Sequence, residues 1–136
     1  MDFQLLIQTI RDFYPDVQAI YLFGSYNTEF QRDNSDIDIA LLLPHAEAKK
    51  EKCMALSDCK LKLERITGKT VDLINLRESS TVFQKEVTCT GKVIFCDDEN
   101  ARLEFEMLTL SFYQKLNEER KEILEDFYKA KRAYPV

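Results

Sequence analysis

Phe23-Gly24-Ser25, ten further residues, and then Ser35-Asp36-Ile37-Asp38-Ile39-Ala40-Leu41-Leu42-Leu43 form the most informative stretch of this chain. In a strand, side chains alternate between faces, so Asp36 and Asp38 point one way and Ile37, Ile39, Leu41 and Leu43 the other. Past the aspartates their own face turns apolar as well, at Ala40 and Leu42. The pattern reads as a buried strand with two carboxylates at its entrance. Unpaired ionised carboxylates are costly to bury, and two neighbours also repel each other. A divalent cation between them removes both penalties, and hard oxygen ligands favour magnesium.

Working outward, Lys69-Thr70-Val71-Asp72-Leu73-Ile74-Asn75-Leu76 reads as a short strand with Asp72 in its apolar middle. If it lies beside the first strand, Asp36, Asp38 and Asp72 converge, which is the ligand set of a two-metal phosphoryl or nucleotidyl transfer site. Gly24-Ser25 directly follows the apolar run Ala19-Ile20-Tyr21-Leu22-Phe23. A glycine at such a corner lets the backbone approach a phosphate, amide groups at a helix start can cradle it, and the serine hydroxyl adds a donor. Gly24 and Ser25 are therefore the candidate nucleotide-binding residues.

Apolar residues over 3–14 recur at helical spacing up to Pro15. A strand over 18–23 follows, then the 36–43 strand ending at Pro44. A helix is expected over 46–67 with Gly68 as its C-terminal cap, then a strand over 70–75. A weak helix over 79–90 and a strand over 92–96 complete a core spanning 1–96. His45, the sole histidine, reads as a loop residue. Strands separated by helices imply an α/β or α+β sheet flanked by helices.

Residues 97–136 change character and form a C-terminal helical extension. Leu103, Met107 and Leu110 make a stripe sufficient to dock a helix on its own domain. Phe112, Tyr113, Phe127 and Tyr128 add aromatic surface beyond it. This extra surface either packs on the core or covers a partner protein; aromatic enrichment is typical of interfaces.

Bulk composition narrows the function. A net charge of −5 disfavours a protein that grips long nucleic acid through its phosphates, yet is compatible with ATP. No basic segment followed by an apolar run marks a signal peptide. No apolar stretch approaches the roughly 18 residues of a membrane span. The four cysteines lack C-x-x-C spacing, so they read as reduced thiols of a cytoplasmic protein rather than a zinc site. Ser25 lacks the G-x-S-x-G context of a hydrolase nucleophile.

Gly24-Ser25, ten residues, Asp36-x-Asp38 and the later strand residue Asp72 resemble the pattern of the DNA polymerase beta-like nucleotidyltransferase superfamily. At 136 residues the chain is similar to its minimal nucleotidyltransferase (MNT) branch. The resemblance covers roughly residues 17–96, with the specific motif at 24–38 plus Asp72. It departs at Thr28, where many relatives carry an arginine; phosphate binding then falls to Arg32 or to a lysine elsewhere. Lys62, Arg65 and Lys69 precede the third strand, within reach of a triphosphate, although a solvated helix face is the better account of them.

The resemblance implies a mixed sheet in a nucleotidyltransferase fold and magnesium-dependent transfer of AMP from ATP, with Asp36, Asp38 and Asp72 catalytic. It also implies a HEPN-domain toxin as hetero-oligomeric partner, a ribonuclease silenced by AMP attached to a tyrosine. Two other functions compete: a small-molecule nucleotidyltransferase, for example one acting on an aminoglycoside, and a non-catalytic module that neutralises a toxin by contact. The first usually needs a further domain, and the intact acidic motif counts against the second.

Overall fold

Strand β2 (Ile37–Leu42) is the centre of the molecule. The computed structural model describes residues 3–24, 36–50 and 57–133. Around β2 are α1 (Phe3–Phe13), β1 (Ala19–Phe23), α2 (His45–Lys50), α3 (Asp58–Thr67), β3 (Val71–Asn75), α4 (Thr81–Thr90), β4 (Lys92–Cys96) and α5 (Glu99–Ala133). A 3-10 turn, Leu76–Glu78, links β3 to α4.

The four strands form one sheet in the order β3-β2-β1-β4. β1 runs antiparallel to both β2 and β4, and β2 runs parallel to β3. The mixed α/β sheet expected from the resemblance is therefore present. The alternation of β2 sorts the core into two layers. Ile37, Ile39 and Leu41 pack with Leu6 and Ile10 of α1 and Leu63 of α3. Ala40 and Leu42 pack on the opposite face with Val87 of α4 and Phe105 of α5.

Residues 46–67 do not form one helix. Ser57 has extended backbone, and its side chain accepts from the Lys60 N–H at 3.3 Å, so a new helix starts there. Residues 51–56, within the expected helix, lie outside the described residues. Gly68 adopts φ 68° and closes α3 through a bond from its N–H to the Glu64 carbonyl, the cap that the sequence implies. His45 is the first residue of α2 rather than a loop residue.

The long C-terminal helix is present, but its docked face is not the expected one. Leu103, Met107 and Leu110 are 44%, 69% and 47% exposed, whereas Phe105 and Thr109 are buried. Polar chemistry selects that face. The buried Tyr21 hydroxyl donates to Glu106 Oε1 at 2.8 Å, and Arg102 Nη1 donates to the same oxygen at 3.1 Å. Burial, then Glu106, push the Tyr21 phenol far above its ordinary range, so it remains a donor. Tyr113 is half-buried with the Lys85 ammonium 5.0 Å from its ring centroid. Phe112 is 58% exposed, and the Tyr128 side chain and Tyr134 lie outside the described residues. Among the described residues, no helix is long and apolar enough to cross a membrane.

Arg77, in the 3-10 turn, ties four elements together at the C-terminal end of β2. Its Nε donates to the Leu43 carbonyl, and Nη2 donates to Gln18 Oε1 at 2.6 Å. Nη1 lies 3.2 Å from His45 Nε2, and the guanidinium sits 5.5 Å from the Phe105 ring centroid. Charge-assisted hydrogen bonds of this kind contribute about 1.5–3 kcal/mol each, and removal leaves buried acceptors unpaired. Arg77→Ala is therefore expected to lower stability by about 3 kcal/mol, measured by urea unfolding. An unchanged midpoint would contradict the tie.

Candidate active site

Gly24, Asp38 and Asp72 meet at one end of the sheet because of strand register. Phe23 lies opposite Asp38 in the β1/β2 pair, and Asp38 lies opposite Asp72 in the parallel β2/β3 pair. Paired residues in adjacent strands project to the same face. The Ile37 N–H donates to the Thr70 carbonyl at 2.9 Å, which pins the start of β2 to the approach of β3. Each aspartate belongs to an otherwise apolar strand, so the two carboxylates are held by buried backbone rather than by loops.

Asp38 is half-buried, while Asp36 and Asp72 are exposed. Burial first, then the charge of Asp72, a hydrogen bond with it, and the charge of Asp36 together raise the Asp38 pKa to about 6. Every cause acts in the same direction, so none of the described groups offsets the repulsion. Asp36 stands one residue before β2 begins. It influences Asp38 through charge but does not close on it. Among the described residues, no three His, Cys, Asp or Glu side chains are gathered tightly enough to cage an ion. The structure thus brings Asp38 and Asp72 together and leaves Asp36 at the lip.

Gly24 has φ +79°, a left-handed conformation that side chains other than hydrogen strain. A Cβ built there would fall 2.0 Å from Asp38 Oδ2. The glycine is required twice, for its backbone angle and because the Asp38 carboxylate occupies the space a methyl group would need. Ser25 and the rest of 25–35, including Thr28 and Arg32, lie outside the described residues.

The site's apolar wall was not anticipated. Phe23 sits beside Asp38 and meets Phe83 of α4 edge-to-face, with ring centroids 5.4 Å apart. The signal was present as an aromatic residue directly before Gly24, but its partner 60 positions on was not legible. Lys62 and Arg65 instead line a groove of about 460 Å³ with Phe13, Asp58, Leu61 and Ile66. That groove belongs to the α1/α3 layer, on the face opposite Ala40, and does not include Asp38 or Asp72. Among the described residues the cysteines take no part: Cys59 is buried, which pushes its thiol up to about 12, and Cys89 and Cys96 are free thiols on the surface, while Cys53 lies outside the described residues.

Two adjacent carboxylates whose charges nothing described offsets, with an exposed third at the lip, make an all-oxygen donor set suited to a hard divalent cation. The Gly24 backbone lies directly beside Asp38.

Known proteins resemble this chain in sequence and in fold. Residues 6–100 match the family described as polymerase beta, nucleotidyltransferase. The protein adenylyltransferase MntA of Shewanella oneidensis is 39% identical over 121 residues, covering 89% of this chain and 84% of that protein. A solved toxin–antitoxin with AMP-PNP superposes with a TM-score of 0.72 at 34% identity, covering 94% of this chain and 99% of that one. An MNT antitoxin in complex with the tri-AMPylated HEPN toxin of Shewanella oneidensis superposes with a TM-score of 0.64 at 32% identity, covering 92% and 94%.

Proposed function

The chain belongs to the polymerase beta nucleotidyltransferase family, and on that premise we propose that it is an antitoxin-type protein adenylyltransferase. In this reading it transfers AMP from ATP to a tyrosine of a HEPN toxin and thereby neutralises it. The observation that carries the reading is the register pairing of Asp38 with Asp72, with Gly24 packed against the Asp38 carboxylate. The similarity to a protein adenylyltransferase over most of its length supports the choice of a protein acceptor.

Asp38 and Asp72 would hold magnesium, with Asp36 contributing from the lip, and Asp72 serving the second position of a two-metal site. When bound, the metal neutralises triphosphate charge and polarises the phosphorus centre. Gly24 and Ser25 bind the outer phosphates through backbone amides and the serine hydroxyl. The tyrosine oxygen forms a bond to the α-phosphorus, the bond from that phosphorus to the bridging oxygen breaks, and pyrophosphate departs. The phenolic proton passes to the Asp72 carboxylate. Phe23 and Phe83 form an apolar wall beside Asp38, which strengthens the electrostatics of the site. Most of the rate gain comes from positioning and charge neutralisation.

Isotope labelling tests the chemistry. ATP labelled at the α-phosphate is expected to mark the HEPN toxin, and ATP labelled at the γ-phosphate is expected to leave it unmarked. Appearance of γ-label on the toxin would make the protein a kinase and remove the assignment.

A further inference from the structure

We propose that the outer half of α5, centred on Ile123 and Leu124, is the surface on which the HEPN toxin docks. This deepens the proposed function and rests on it. Among the described side chains of α5, Leu116 is the last half-buried one, and every residue from Asn117 to Phe127 is exposed. The helix therefore runs on well past its own domain. Ile123 and Leu124 are 67% and 54% exposed.

The position of Ile123 is not arbitrary. Phe105, Thr109 and Leu116 follow one another at steps of four and seven along the face that meets the sheet, and Ile123 lies seven residues further on. The stripe that docks α5 on its own domain thus continues beyond the domain's edge. An exposed helical segment is marginal in water, because amphipathic packing supplies most helical stability. A second helical surface meeting this stripe would supply it.

The extent of the similarities identifies the occupant. The nucleotidyltransferase family match ends at residue 100, so the catalytic family does not require α5. A match covering 89% of this chain must run well into α5 wherever it starts. The solved toxin–antitoxin chain covers 94% and has almost no residues outside the match. The helix is therefore shared with an MNT antitoxin solved in complex with a HEPN toxin, whose match covers 92% of this chain, yet it lies outside the family match. Between 117 and 127, five acidic residues stand against Arg120 and Lys121. The toxin face that fits is an apolar groove with a basic rim.

The test is Ile123→Ala with Leu124→Ala, titrated calorimetrically into the cognate HEPN toxin beside the unaltered chain. Toxin affinity is expected to fall at least about tenfold, as for central apolar anchors. The melting temperature and the affinity for AMP-PNP should stay unchanged, because both side chains are more than half exposed. An unaltered chain that binds and labels the toxin, with a variant that binds it equally tightly, overturns the docking surface alone. A large fall in melting temperature overturns it too. Loss of self-association in sedimentation, with toxin affinity intact, would make a second copy of this chain the occupant and equally overturn it. If the unaltered chain neither binds nor labels the toxin, the proposed function fails, and the docking surface with it.

Discussion

Asp38→Asn is expected to remove adenylyl transfer while making the nucleotide-free protein more stable at neutral pH. Asparagine has nearly the shape of aspartate but no charge, so the strand and its register survive. The transfer rate should fall at least about a hundredfold, the scale of losing one preorganised electrostatic group, measured by α-label incorporation into the toxin. The stability change has the opposite sign. The Asp38 pKa is raised from 3.8 to about 6 in the folded protein, first by burial and then by Asp72. The unfolded chain loses this proton near its ordinary value, whereas the folded chain keeps it until about pH 6. Its contribution is complete below pH 3.8 and is lost as pH rises through about 6. The unaltered protein should therefore lose melting temperature across that interval relative to Asp38→Asn. For a half-exposed group screened by solvent, the gap at neutral pH is about 1 kcal/mol. Parallel melting curves from pH 4 to 7 would remove the electrostatic account of the site.

Gly24→Ala is expected to damage both fold and activity, because two independent penalties fall on one methyl group. The left-handed backbone costs an L-residue about 1–2 kcal/mol. The added Cβ, 2.0 Å from Asp38 Oδ2, forces either the carboxylate or the β1 end to move. The combined destabilisation is about 3 kcal/mol, read by denaturant unfolding. Transfer should fall about a hundredfold, since displacement of a positioned group by about 1 Å can cost that much. Gly68→Ala is the control. Gly68 shares the positive φ, but its Cβ would meet nothing within 4 Å, so it should lose stability alone and keep its activity. Equal loss of transfer in both variants would show that contact with Asp38 is immaterial.

These variants also separate what each level of description explains. The Asp36-x-Asp38 spacing identifies a strand with a carboxylate face because period-two alternation is local. Only two neighbouring residues need be read to find it. The same holds for β1, β3 and β4, and for the cap at Gly68, whose signal lies within one helical turn. Local periodicity also carries the expected helix over 46–67 past its break: lysine and glutamate are good helix formers at every position, whereas a new helix starts at Ser57, whose capping bond is a matter of geometry.

The sequence by itself determined that this chain builds a mixed α/β nucleotidyltransferase sheet with an acidic strand entrance, and that a long helix follows it. Short-range periodicity and one motif of characteristic spacing carry that information. The tertiary structure alone decided which carboxylates meet and which face of α5 is buried. Asp38 and Asp72 are 34 residues apart in the chain and become neighbours only through parallel register, whereas Asp36, two residues from Asp38, stays at the lip. α5 is apolar around much of its circumference, so periodicity could not choose among its faces. A hydrogen bond spanning 85 residues, from Tyr21 to Glu106, turns Phe105 and Thr109 inward and leaves Leu103, Met107 and Leu110 outside. Buried polar groups must find partners, and which partners are within reach is a property of the folded chain rather than of any segment of it.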